Sequence, residues 1–538
     1  MACTTILVGK DASYDGSTIV ARNEDSMNGK FDPKRYIVVR PEDMTKRYRS
    51  VQTHAEVELP DNPMQYTAVP NVDQSEGFWG EAGVNEANVA ISATETLTTN
   101  ERVLGADPFV QFAPAKGKVG EPGYVPEVAG GVGEEDFLPI ILPYIKTARE
   151  GVERLGAFLE KYGTYEMNGI AFSDVNEIWW METVGGHHWI AKRVPDEAYV
   201  TMPNQLGIDE FDLEDALGEQ KEHMCSPDLA EFIEANHLDL AVEATTPFNP
   251  RDAFGSHSDA DHVYNTPRAW FMQRFFNPYD EVWDGPDADH TPESDDIPWA
   301  RQPERKITIE DIKYVLSSHF QGTKFDPYGH LGDEHTRHMY RVIGINRQSH
   351  LSLVQIRPYR PQSSRTLQWI TYGSNVFNTL VPFYPNVEAT PEYFGGTTMR
   401  VTSENFYWAN RIIAALCNFT YAENYNAIER YQQKTGGMAH RMIAATDEQV
   451  AKLGGDKEAS AESMAQAELN AGNPEGDVEP MEPDQIIAAT RNAEVREILK
   501  AANQSMSDQI KAETDDLLNI VLHNASLQMA NAFNRSDN

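Results

Sequence analysis

Close to the start of the chain one residue could act as both nucleophile and base. Cys3 opens the stretch CTTILVGKDASYDGSTIVARNED. A thiol with an ordinary pKa near 8.5 is mostly protonated at neutral pH and needs a base or a cation beside it. With residues 1 and 2 removed, the α-amino group of Cys3 would supply that base from within the same residue. Such amines titrate near 7.7–8.0 in peptides. The chemistry further requires a cation near the sulfur, a carboxylate to orient the ammonium and amide donors awaiting an oxyanion. The runs 3–8 and 17–22 are β-branched and apolar, and Gly9, Asp11, Asp15 and Gly16 lie between them. That composition predicts a hairpin whose returning strand brings Arg22, Asn23 and Asp25 beside Cys3.

The other chemistry-bearing clusters are weaker. VAGGVGEE lacks the spacing of a nucleotide-binding loop. His330, Asp333, Glu334, His335 and His338 match no HExxH pattern and read as a surface loop after DPYG, so no metal or cofactor is expected. His187 and His188 beside Gly185-Gly186 read as structural or rim residues at a hairpin tip. Cys225 has no base nearby in sequence, and Cys417 sits in an apolar helical run as a core residue. Three cysteines in all give no disulfide framework.

The elements that must position Cys3 are antiparallel strands and separate helices. Strands are predicted at 36–40, 88–94, 169–174, 177–183, 188–194, 352–357 and 366–373. Helices are predicted at 136–163 (broken at Pro143), 308–320, 403–435, 440–453 and 483–533. Strands and helices in separate runs predict an α+β fold. Residues 113–135 read as a loop at a site rim, and 454–483, acidic and rich in Ala, Glu, Gly and Pro, as a solvated linker.

Over 538 residues the composition is 40% apolar with a formal net charge of −38. The apolar share is ample for a packed core, and the charge argues against nucleic acid or anionic membranes as partners. The N-terminus has no secretory pattern and no run is apolar enough to span a membrane, so a cytoplasmic location is expected.

Several motifs in order carry a family resemblance. They are CTTxxxVGK with DGSTxxARNED, EAGVNExNVAISATET at 81–96, NxxEIWWMExxGGHHW at 176–189, MPNQ at 202–205, YNTPRAW at 264–270 and SSHFQGTxFDPY at 317–328. Together they resemble the dipeptidase A family of cysteine dipeptidases, N-terminal nucleophile (Ntn) hydrolases related to penicillin V acylases and bile salt hydrolases. The resemblance implies a four-layer αββα Ntn fold of stacked antiparallel sheets over residues 3–440, with a helical extension at 441–538. It implies that residues 1–2 are removed, Met1 by an aminopeptidase and Ala2 through attack by Cys3. By position Cys3 would be the nucleophile and Arg22 the support of its thiolate. Asp25 would hold the α-amine, Asn204 would donate to the oxyanion and Arg268 would add positive charge. A further oxyanion contact would fall at Ser92–Glu95, while Asn85 and Glu86 form a turn. The implied reaction is metal-independent hydrolysis of dipeptides through a thioester. A chain of this size with a long terminal helical pair is expected to form a homo-oligomer. The alternatives are an acylase acting on N-acyl amino acids and a non-catalytic interaction protein like the secernins.

Overall fold

The computed structural model describes residues 2–27, 29–243, 246–256, 258–453 and 483–531. β1 (Ala2–Val8) and β2 (Thr18–Asp25) form the predicted hairpin, with Cys3 opposite Glu24 and Thr5 opposite Arg22. Side chains alternate faces along a strand. Leu7 and Val20 therefore point one way, while Ile6, Val8, Ile19 and Ala21 point the other.

The hairpin occupies the middle of a seven-stranded sheet. Its further strands are β8 (Tyr199–Met202), β10 (Ala300–Arg301), β11 (Gln348–Ile356), β12 (Thr366–Tyr372) and β13 (Val381–Phe383), in the order β10-β8-β1-β2-β11-β12-β13. A second sheet has the order β9-β7-β6-β5-β4-β3. It comprises β3 (Ala82–Val84), β4 (Ala90–Thr96), β5 (Asn168–Ser173), β6 (Ile178–Thr183), β7 (Trp189–Arg193) and β9 (His223–Cys225). The neighbouring strands within both sheets are antiparallel.

Leu7 and Val20 meet Ala171, Trp180 and Ile190 in one core, so the sheets face each other there. Helices cover the outer faces. α1 (Glu134–Ile141) and α2 (Ala148–Tyr162) pack on the second sheet through Leu138, Val152 and Leu155. On the first sheet lie α3 (Thr266–Phe276), α4 (Ile309–Leu316), α5 (Phe406–Phe419), α6 (Tyr421–Lys452) and α7 (Ala493–Leu527). The chain is thus α+β.

Boundaries moved in several places, and the helix predicted at 483–533 is two, Pro483–Thr490 and Ala493–Leu527. The strand at 36–40 is short, Ile37–Val39, and pairs with Tyr66–Ala68 outside the two large sheets. The helix predicted at 403–435 breaks at Thr420, whose φ of −130° and ψ of 39° leave the helical region. α6 then runs unbroken through Gly436-Gly437, where the sequence had predicted a gap. Two glycines cost roughly 2 kcal/mol of helix propensity, and packing of Ala439 and Val450 into the core outweighs that. At Pro143 the predicted break is a 3-10 turn, Leu142–Tyr144. The predicted linker, apart from Pro483, lies outside the described residues, as does Met1.

Candidate active site

Strand register places the Cys3 side chain on the face of β1 that looks toward the second sheet, with Arg22 and Glu24 of β2 on that same face. Arg22 Nη2 lies 3.0 Å from Cys3 Sγ. Both side chains are buried, and Arg22 also reaches Glu81 at 2.8 Å and Glu134 at 3.2 Å. Burial opposes the guanidinium charge, yet Cys3, Glu81 and Glu134 together hold its pKa well above the usual value. Lys34, fully buried, joins Glu24 at 2.7 Å and Glu81 at 3.4 Å. Burial pushes both of those carboxyls up to about 7, against the pull of Lys34 and Arg22. Glu24 also meets His350 Nδ1 at 2.7 Å. Burial, with the neighbouring Lys34, keeps that imidazole well below its ordinary pKa.

The acids Glu134, Glu135 and Asp136 open α1, where the helix dipole favours negative charge. Gly133 just before them admits no side chain, because a Cβ there would strike the Tyr165 ring. Tyr165 in turn donates to Glu135 at 2.6 Å. Burial pushes Glu135 up to about 8 and Glu166, which accepts from Glu134 N at 3.1 Å, up to about 7.

The backbone of Cys3 is gripped from the other direction. Its N–H donates to Asn204 Oδ1 at 3.1 Å, and its carbonyl accepts from Arg268 Nη1. Arg268, on α3 and fully buried, also donates to Asn204 Oδ1 at 2.8 Å, to Asn265 Oδ1 at 2.7 Å and to Thr4 Oγ1 at 2.7 Å. Asn204 Nδ2 donates to the Thr96 carbonyl at 2.9 Å, which brings the end of β4 to the site. Asp25 stands opposite residue 2 in the sheet register and pairs with Arg341. Its second oxygen, Oδ1, is buried with no hydrogen-bond partner among the described residues.

The chain matches the peptidase family C69 over residues 2–434. It belongs to peptidase family C69. This C69 chain is 74% identical over 538 residues to a protein named Dipeptidase from Bifidobacterium longum (strain NCC 2705), the match covering 100% of both. It is 49% identical over 537 residues to a Probable dipeptidase A of Streptococcus pyogenes serotype M3, again covering 100% of both. Dipeptidase A of Lactobacillus helveticus is 41% identical over 456 residues, 84% of this chain and 90% of the relative.

In the C69 chain Cys3, Arg22, Asn204 and Arg268 are joined by direct hydrogen bonds, and Asp25 stands one register step from Cys3. Asn23 does not join them. It faces the opposite side of β2, where it donates to the Leu316 carbonyl at 2.7 Å and accepts from Asn375 at 2.7 Å. Asn85 builds a turn, accepting from Ala87 N at 2.9 Å and Val89 N at 3.1 Å, while Glu86 binds Arg491 and Arg496 of the C-terminal region. Ser92 is buried on β4. His187 and His188 both meet Asp107, at 3.1 and 2.8 Å. His330, Asp333, Glu334, His335 and His338 are exposed among turns, and no metal-ligating group of three gathers among the described residues. Burial pushes the Cys225 and Cys417 thiols up to about 12, so they are poor nucleophiles.

Sequence reasoning missed Glu24, Lys34, Glu81, Glu134, His350 and Arg341. Period-two alternation was a usable signal for Glu24, since it shares the face of Arg22 and Cys3. The rest are ionisable residues whose partners mostly lie far away in the chain, and no local pattern ties them to Cys3.

Proposed function

We propose that this chain is a cysteine dipeptidase of the Ntn-hydrolase type, with Cys3 as nucleophile and its own freed α-amine as base. The observation that carries the reading is the double grip on one residue. Arg22 holds the sulfur of Cys3 while Asn204 and Arg268 hold its main chain. Two facing antiparallel sheets with helices outside support the four-layer αββα Ntn fold, and the names of the relatives support dipeptides as substrates.

In the full chain the Cys3 nitrogen is the amide of the Ala2–Cys3 bond. Attack of Sγ on the Ala2 carbonyl carbon, with transfer of the acyl group from nitrogen to sulfur, breaks that amide and frees the amine. Water then cleaves the thioester and releases the leader. Because Asp25 is opposite residue 2, the new ammonium would stand next to its unpartnered Oδ1. In turnover the neutral amine takes the thiol proton, the thiolate attacks the peptide carbonyl, and the C-terminal amino acid leaves with that proton. A carboxamide NH2 carries two hydrogens. Asn204, whose Nδ2 also donates to the Thr96 carbonyl, would be a donor to the oxyanion. One such donor is worth about 3–4 kcal/mol of barrier. Arg22 stabilises the thiolate.

The test is N-terminal mass analysis of the chain made in its own host, together with turnover of dipeptides, tripeptides and N-acyl amino acids. Mature chains are expected to begin at Cys3, cleave dipeptides fastest and keep full activity in a chelator. Cys3→Ala should leave the N-terminal leader uncut and lower kcat by at least 10³-fold. Full activity from chains that begin at Met1 or Ala2 refutes the α-amine base, and rapid acyl-amide cleavage with inert dipeptides refutes the substrate class.

A further inference from the structure

On the helix side of the first sheet, away from the Cys3 thiol, a cavity of about 370 Å³ lies between α4 and α6. Its volume falls in the range of small-molecule sites. Most of its wall is apolar or aromatic, with Tyr314, Trp369, Tyr421 and Ile428 prominent. One cation enters that wall, Lys313 of α4. Its ammonium donates to Ser317 Oγ at 2.7 Å and to the Asn375 carbonyl at 2.6 Å, both neutral acceptors.

The acids that share the cavity are engaged elsewhere. Glu310 binds His440 at 2.6 Å, and Glu429 accepts from the Tyr425 hydroxyl. His319, also in the wall, pairs with Asp326 at 2.7 Å. No carboxylate forms an ion pair with Lys313 among the described residues. Burial accordingly pushes the lysine down to about 7, the behaviour of an ammonium deprived of both water and a counter-ion. A buried charge is costly unless paired, and an anion delivered with an apolar body would satisfy the ammonium and the aromatic wall together.

We propose that this cavity binds a small monocarboxylate with an apolar or aromatic body, its carboxylate paired with Lys313. Simple arylalkyl acids and free apolar amino acids share that chemistry. The back of the site leads to the catalytic strand, since Asn375, whose carbonyl accepts from Lys313, donates its side-chain amide to Asn23 of β2.

The test is isothermal titration of the full chain with 3-phenylpropionate, L-phenylalanine and the uncharged 3-phenylpropanol. At least one of the two acids is expected to bind with a Kd of 1 mM or tighter, and the alcohol at least tenfold more weakly. Lys313→Met keeps most of the apolar stem without the charge and should weaken the acid at least tenfold. If that variant does not fold, Lys313→Gln, which keeps an N–H donor without the charge, should give the same loss. The proposal is overturned if neither acid binds, if the alcohol binds as tightly as the better acid, or if a folded Lys313 variant keeps its affinity. Binding by L-phenylalanine alone would assign the site to free amino acids, and binding by 3-phenylpropionate alone to acids lacking an ammonium.

Discussion

At the scale of single residues the site is a division of labour between two faces of one hairpin. The sulfur face carries Arg22, and the opposite face carries Asp25 with Arg341. Cys3, Arg22 and Asp25 were legible because a short hairpin leaves few choices of register. Arg341 was not, because it comes from a loop more than 300 residues away. Its guanidinium is buried over the Tyr264 ring at 5.1 Å, with Arg268 over the same ring at 5.2 Å and Arg347 donating to the Tyr264 hydroxyl at 2.7 Å. Around a freed Cys3 amine this puts Asp25, which favours the ammonium, against Arg341 and Arg268, which favour the neutral base. Arg22 acts from the other face, tempered by Glu24, Glu81 and Glu134. In the proposed mechanism the neutral amine is the base, so kcat/KM should rise with pH through its pKa. Removing the Arg341 charge raises that pKa. Arg341→Met should therefore shift the acid limb upward by about one pH unit, roughly tenfold in rate at pH 6, with little change at pH 9. Arg341→Lys should stay within a few tenths of a unit of the parent. An unmoved limb in a folded Arg341→Met protein would rule out this electrostatic role.

At the scale of elements, strand existence was readable from β-branched runs and their turns, and helix existence from apolar periodicity. The break at Pro143 was readable too, but the one at Thr420 was not, because it ends a helix without any glycine or proline to announce it. Nor was the work of α7 visible in its sequence. Asn503 there is buried, accepts from Tyr384 N at 2.9 Å and donates to Tyr384 O at 2.9 Å, closing the backbone just past β13. Arg491 and Arg496 tie the same region to the Glu86 turn beside β3, at 2.9 and 2.8 Å. The C-terminal helix is thus stitched to both sheets' neighbourhoods. Asn503→Ala leaves two buried backbone groups unpaired, each costing about 1–3 kcal/mol. Chemical denaturation should show a loss of roughly 2–5 kcal/mol for it, against less than about 0.5 kcal/mol for the exposed neighbour Gln504→Ala. Equal, small losses in both would mean that α7 is not coupled to the sheet in this way.

At the scale of the whole molecule, the acidity has a thermodynamic consequence that composition only hinted at. Burial raises Glu24, Glu81, Glu166 and Glu182 to about 7, Glu135 to about 8 and Asp136 to about 6. In the unfolded chain such groups titrate near 4. The folded state therefore binds more protons than the unfolded one between about pH 4 and 8. The stability linked to these carboxyls is full below that window and is lost as pH rises through their folded pKa values. The net charge of −38 acts in the same direction, since self-repulsion eases as protons bind. Lys313, lowered by burial to about 7, opposes this trend above neutrality, and two further groups act against it on the acid side. His350 is held neutral by burial, so its contribution is present above about 6.5 and is lost as pH falls. Burial works against the Asp107 charge, but hydrogen bonds from His188 and His187 hold its pKa below the usual range, and its contribution is lost in stronger acid. The balance places maximal stability on the acid side of neutrality. Thermal melts should give a Tm at pH 6 higher than at pH 8.5 by roughly 5 °C, the size expected for about 2 kcal/mol in a large domain. Sodium chloride at 0.5 M should raise the Tm more at pH 8.5 than at pH 6, because it screens the repulsion that deprotonation adds. A Tm that climbs from pH 6 to 8.5, or a salt response equal at both, would show that the buried acids are charged and well compensated instead.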